Sequence, residues 1–205
     1  MKIPEIGLQR LRMGFERLSP LPDSEWEYFC SYLGAKIFHP DELLFKAGEP
    51  ATNFYFIISG LVRYFYLTEA GKEFNKAFAM ENDMVGSLSA LVLKTPCRYS
   101  VQALERSEVL VLPVKVLEDC FDRHPAWERI GRLHAERVAV KKEIREGEFL
   151  LDSAEVRYKR LLAEHPALID RVRQYHIASY LGITDVTLSR IRNKIKNNRN
   201  QYPRN

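Results

Sequence analysis

The hydrophobic period of this chain changes twice, and those changes constrain its fold more than any other feature. Up to Leu33 the apolar residues recur at helical spacing, first Leu8, Leu11, Phe15 and Leu18, then Trp26, Phe29 and Leu33. The breaker Ser19-Pro20-Leu21-Pro22 separates the two runs, and Ser24 with Glu27 reads as a capping box for the second. From about 36 to 112 the pattern becomes short runs rich in β-branched and aromatic residues: 36–39, 42–45, 53–58, 61–67, 73–80, 98–104 and 108–112. Turn signals such as Ala47-Gly-Glu-Pro, Ser59-Gly and Ala70-Gly-Lys divide them. Short strands at such regular spacing predict an antiparallel barrel or jelly roll. After Pro113 the helical period returns and persists.

With 205 residues, 46% of them hydrophobic, the chain is long enough for one large domain or two modest ones and too apolar for disorder. No stretch approaches 18 consecutive apolar residues, so no membrane span is expected, and the first ten residues lack the apolar region of a secretory signal. Cys30, Cys97 and Cys120 are odd in number and far apart, which suggests reduced thiols in a cytoplasmic protein without a disulfide framework or zinc site. The net charge of +4 is unevenly spread: residues 171–205 carry eight basic side chains and one acid, Asp185, hence +7, which leaves −3 on residues 1–170. A basic terminus on a mildly acidic body points to a polyanion held by one end.

The stretch after Pro125 carries a second signal. Ile130, Leu133, Arg137, Val140, Ile144, Gly147 and Leu151 follow a strict 3,4 alternation among crowded charges, the seam of a two-helix packing. The competing reading is one helix lying along its own barrel. Asp152-Ser153-Ala-Glu, a cap sequence, marks a hinge near 152, and a helix through Tyr158 and Leu161 stops at His165-Pro166.

The most informative stretch is Gln174 to Arg192. Ile177, Ala178 and Leu181 supply the core face of a short helix, Gly182 the positive-φ residue of a turn, and Thr184 the cap of a second helix with Leu188, Ile191 and Ile195 inward. That is a helix-turn-helix pattern, and its second helix fits the major groove of double-stranded DNA. The alternative is a solvated basic helix pair packed on another domain. Asp185, Val186 and Arg190 occupy the exposed positions that would face bases. Arg190 suits a bidentate contact to guanine, and Val186 an apolar contact to a thymine methyl. Asp185 either accepts from cytosine or stabilises its own helix N-terminus. Thr184, Thr187, Ser189, Arg192, Lys194 and Lys196 read as phosphate contacts. Tyr175 and His176 are placed just before the first helix, touching the DNA backbone or simply packed.

Taken together, these stretches resemble the Crp/Fnr family of bacterial transcription regulators. Leu44-Phe-Lys-Ala-Gly48 through Ile57-Ile-Ser-Gly60-Leu-Val-Arg is similar to the family's β-roll signature with both turn glycines. Gly86-Ser-Leu-Ser-Ala, with Arg98-Tyr-Ser-Val-Gln-Ala-Leu-Glu, sits where the family has its phosphate-binding cassette. Ile177-Ala to Arg190-Ile resembles its helix-turn-helix. The resemblance implies an α+β fold: an N-terminal antiparallel, jelly-roll-like β-roll with flanking helices over 1–123, a dimerisation helix over 124–152, and a (winged) helix-turn-helix over 153–205. It implies a homodimeric regulator on a near-palindromic operator, with RNA polymerase as a further partner. The segment between Pro166 and Gln174 is short for wing strands, and the tail after Lys196 has no strand pattern, so a reduced or absent wing is expected.

The cassette departs from that of cyclic-nucleotide binders. Gly86, Ser87, Leu88, Arg98, Tyr99 and Ser100 outline an effector pocket, yet Ser87 stands where binders carry the Glu that accepts the ribose hydroxyl. Tyr99 stands where a small Ser or Thr is usual. On the long helix, Val140-Lys141-Lys142-Glu143 replaces the region that presents hydroxyls to the purine. Cyclic AMP is therefore not the expected effector. The remaining alternatives are a regulator gated by cyclic AMP or another small ligand, and a sensor module acting through protein contacts. Arg98 either binds a ligand phosphate or pairs with an acid such as Glu105. A cysteine cluster for an iron–sulfur centre is missing, since Cys30 stands alone near the N-terminus, and His39 beside Pro40 reads as surface rather than as a haem ligand. Cys97 beside Arg98 admits a redox role, with an inert thiol as the default. No HExxH, P-loop, GxSxG or paired CxxC occurs, so the expectation is no catalysis, no metal and no cofactor.

Overall fold

The computed structural model describes residues 2–201, with side chains as far as Asn197. Arg204, counted in the basic tail, and the side chain of Arg199 lie outside those residues. The chain begins with α1 (Glu5–Glu16) and α2 (Asp23–Cys30). Helix α2 starts two residues earlier than the capping-box reading requires: Pro22 takes the cap position without a side-chain cap bond. Ser24 thus falls inside the first turn, because proline's fixed φ already presets the entry.

Eight strands follow: β1 (Gly34–Phe38), β2 (Leu43–Phe45), β3 (Asn53–Ser59), β4 (Val62–Leu67), β5 (Glu73–Ala79), β6 (Met84–Val85), β7 (Ser100–Ala103) and β8 (Ser107–Pro113). They form two antiparallel four-stranded sheets, β1-β8-β3-β6 and β2-β7-β4-β5. Seven match the runs legible in the sequence. The two-residue β6 was not expected, being too short to show a period. Gly60 turns the chain between β3 and β4 at a φ of 109°, and a Cβ there would collide with Ser107, so glycine is required twice over.

The inner faces of the sheets close on a core that includes Phe38, Ile57, Val62, Val101 and Val109. The outer face of the first sheet carries Phe56, Ile58, Leu110 and Leu112, which pack against Leu11, Phe15 and Phe29 of the first two helices. Helix α3 (Leu88–Leu93) lies between β6 and β7. After β8 come α4 (Val114–Arg123) and the 27-residue α5 (Pro125–Leu151), with Pro125 in the first turn as expected. Trp127 and Ile130 from the start of α5 complete this core.

Beyond α5 the chain is helical: α6 (Ala154–Glu164), α7 (Pro166–Arg171), α8 (Gln174–Leu181) and α9 (Asp185–Gln201). Ser153 caps α6, its Oγ accepting from Val156 N at 3.3 Å, so the helices break where the cap sequence lies. No strand follows Pro113 among the described residues, and the wing implied by the resemblance is replaced by α7. Pro166 starts that helix and Ala167, Leu168 and Ile169 continue it, with none of the alternation a wing strand needs. Tyr175 and His176 lie within the first turn of α8, not ahead of it.

Candidate nucleic-acid interface and effector cavity

The helix-turn-helix is built as its local chemistry dictates. Ile177, Ala178, Leu181 and Leu188 are buried together, with Ile191 and Ile195 packed on them. Gly182 ends α8 in the left-handed region at a φ of 70°, and a Cβ there would strike the Phe149 ring of α5. The Thr184 hydroxyl accepts from Thr187 N at 3.2 Å, satisfying one of the orphan donors of α9. Asp185, Val186, Ser189 and Arg190 are exposed on one end of α9, with Val186 61% accessible. An apolar side chain so placed is unusual unless something covers it. Among the described residues no carboxylate pairs with Arg190.

The other predicted phosphate contacts divide. Lys196 is exposed. Arg192 donates to Gln174 Oε1 at 2.8 Å, and Lys194 pairs with Glu155 at 2.8 Å. Lys159 and Lys194 together hold the Glu155 carboxyl down to about 2. Thr187 is half-buried, its hydroxyl 2.9 Å from that of Thr184.

Sequence reasoning missed a polar joint between α8 and the second sheet. Asn75 of β5 donates its backbone N–H to Ser179 Oγ at 2.9 Å, and its side-chain amide donates to the His176 carbonyl at 2.9 Å. The buried His176 Nδ1 lies 3.1 Å from that amide and 3.4 Å from the Arg63 guanidinium. Burial, and then Arg63, push the imidazole down to about 4. Arg63 in turn pairs with Glu73 at 2.6 Å. A second contact joins Arg171 to Glu81 at 2.9 Å and to Glu105 at 2.6 Å. The Glu81 carboxyl, held by Arg171, sits at about 2. Glu105 is therefore taken by Arg171 and not by Arg98, which stands exposed. The bonded pairs lie at least ten residues apart in sequence, so no local signal announced them.

The cassette does not come together as an open pocket. Tyr99 is buried against Phe45, Tyr64 and Tyr66, and its hydroxyl donates to the Gly86 carbonyl at 2.9 Å. Ser87 is buried and caps α3, accepting from Ala90 N. A Cβ at Gly86 would overlap the Phe54 ring. Ser100 Oγ accepts from Ala47 N at 2.9 Å. Gly86, Leu88 and Tyr99 face a large cleft, Ser87 and Cys97 a separate cavity of about 70 Å³, and Arg98 and Ser100 neither. Burial raises the Cys97 thiol, so the thiolate that a redox role needs is disfavoured. Among the described residues no cluster of metal-ligating side chains occurs.

Along α5 the predicted seam also divides. Ile130 packs into the first core and is unavailable to a partner. Leu133 and Gly147 are half-buried and Arg137 is exposed. Val140, Ile144 and Leu151 stand exposed, Ile144 at 58% and Leu151 at 86%.

Residues 35–124 match the family described as "Cyclic nucleotide-binding domain". The Anaerobic regulatory protein of Pasteurella multocida is 28% identical over 170 residues, covering 76% of this chain and 60% of that protein. The Fumarate and nitrate reduction regulatory protein of Vibrio cholerae is 31% identical over 163 residues, covering 72% of this chain and 63% of that protein. The chain thus spans less than two thirds of the length of these relatives. The solved structure of FixK2 from Bradyrhizobium japonicum superposes with a TM-score of 0.70 at 22% identity, covering 81% of this chain and 85% of that one. The match to a cyclic nucleotide-binding domain and these relatives make the chain similar to regulators of the Crp/Fnr family, and it shares the fold of the FixK2 structure.

Proposed function

We propose that the protein is a cytoplasmic, homodimeric, sequence-specific DNA-binding transcription regulator whose effector is not cyclic AMP. The observation that carries this reading is the exposed face of α9, where, among the described residues, the side chains of Asp185, Val186 and Arg190 make no hydrogen bond or ion pair on a capped, basic helix. Two such helices, related by a two-fold axis, would enter successive major grooves about 34 Å apart. The exposed Val140, Ile144 and Leu151 supply an apolar seam for the second copy. Lys196 is the phosphate contact least committed elsewhere, while Arg192 and Lys194 must leave Gln174 and Glu155 to take that role. Against cyclic AMP stand the aromatic filling of the cassette by Tyr99 and an exposed Arg98 that lines neither cavity. RNA polymerase is the further partner expected of such a regulator.

The test is an operator selection followed by binding measurements on selected and random DNA. Arg190→Ala is expected to cost about 1–3 kcal/mol on the selected site and little on random DNA. Lys196→Ala should weaken both alike and lower the salt dependence by about one counterion. Equal losses on both DNAs for Arg190→Ala would overturn its base-reading role. Ile144→Arg should convert a dimer to a monomer in light scattering, and an unchanged mass would overturn the seam.

A further inference from the structure

The effector cavity of this chain carries an unusual charge arrangement. A cleft of about 2220 Å³ runs between the second sheet and α5 and extends from α1 to α8. In the β4–β5 pairing Tyr64 faces Ala77 and Phe65 faces Asn75, so Lys76 is the extra residue of a β-bulge. Bulges re-aim a side chain that regular pairing would place elsewhere. Here the bulge leaves Asn75 facing α8 and brings the Lys76 ammonium 4.0 Å from the Tyr99 ring centroid and 5.4 Å from that of Tyr64. Across the cleft, α5 presents Lys142 and Arg145. Glu146 also lines the cleft, yet the charges acting on Lys76 are both positive. Burial, then Lys142 and Arg145, bring Lys76 down to about 8. Glu148, the acid that acts on Arg145, is already paired with Arg160 at 2.6 Å. Lys76 and Arg145 are half-buried and Lys142 is exposed, and like charges gathered along one cleft are costly unless an anion joins them.

We propose that this cleft binds a small organic anion with a flat apolar body, its acidic group seated between Lys76 of β5 and Lys142 and Arg145 of α5. The inference rests on the reading of the chain as an effector-responsive regulator and names the class of effector. Tyr66, Phe74 and Phe149 supply apolar walls for the body. The acidic group sits beside the cassette's Tyr99, over whose ring Lys76 lies, and not at Ser87 or Arg98, which do not face the cleft. The site also has a route to the DNA-binding helices. Arg145 donates to the Tyr180 carbonyl of α8 at 2.9 Å and stacks 3.8 Å from the Tyr180 ring. An anion that draws Arg145 into the cleft competes with that hold on α8.

The test uses two fluorescent probes with the same ring system on the full chain. 8-Anilinonaphthalene-1-sulfonate carries a negative charge, and N-phenyl-1-naphthylamine is its uncharged counterpart. Lys76→Met and Lys142→Gln together should weaken the sulfonate roughly tenfold while leaving the neutral probe unchanged. Lys142→Gln alone, at an exposed position, should weaken it several-fold without disturbing the fold. Equal losses for both probes, or no loss for the sulfonate in either variant, would overturn the proposal. Binding to the selected operator is measured separately without probe. Failure of the anion site and failure of the regulator reading are therefore distinct results.

Discussion

The two sheets of the β-roll are each covered by helices, but by different chemistry. On the first, Phe56, Ile58, Leu110 and Leu112 meet Leu11, Phe15, Phe29 and Trp127, and the contact is mainly apolar, with Arg10 on the Ile58 carbonyl and Trp127 and Arg123 on Glu25. On the second, α8 does place Leu61 and Phe78 against its own core, yet the joint is held by Asn75, His176, Arg63, Arg171, Glu81 and Glu105. Apolar burial is not weakened by charge screening or by protons, whereas ion pairs respond to salt and a buried imidazole to acid. One cover therefore rests chiefly on burial and the other on contacts that salt and acid weaken.

The largest expected effect that would break this contrast is on the apolar side. Trp127→Ala should cost about 3–5 kcal/mol in global denaturant unfolding, since it empties a fully buried ring site and removes the donor to Glu25. A smaller loss would mean that the first core is less complete than its burial indicates. Arg171→Ala should loosen only the joint, by about 1 kcal/mol after allowance for its partial exposure. It leaves Glu81 and Glu105 facing each other, and hydrogen exchange in α8 and α9 should rise while that of the β-roll does not.

Acid should act on the same joint. His176 sits at about 4 when docked against an ordinary 6.5, so the released helix binds more protons between those values. Docking is full above pH 6.5 and weakens as the pH falls toward 4, seen as faster proteolysis near Asp152-Ser153. His176→Gln should remove that dependence. Salt is expected to have the smallest effect: at about 1 M, screening over roughly 3 Å weakens the partly exposed Arg171 pairs while the first core is unmoved.

How much of this was legible beforehand depended on how local the cause was. Seven strands, the proline-started α5, the Ser153 helix break and the Thr184 cap were visible because each follows from a run of neighbouring residues. The Ser24 capping box failed locally too, because two N-terminal signals competed and Pro22 prevailed. The face of α9 was read correctly as exposed, but the engagement of Arg192 by Gln174 and of Lys194 by Glu155 was not, since those partners lie 18 and 39 residues away. Likewise Ile130 fits the seam by spacing, and only packing against the first core removes it.

By itself, then, the sequence determined the order of architectures, the helix-turn-helix with its glycine turn, and the loss of the cassette's acid. Each is written in residue identity or in a period, and periodicity is a local property of the backbone. Tertiary structure alone decided that Tyr99 closes the cassette, that Glu105 belongs to Arg171, and that a bulge sends Lys76 into the cleft. Those outcomes depend on strand register and on side chains dozens of residues apart meeting in space, and no run of neighbouring residues encodes either.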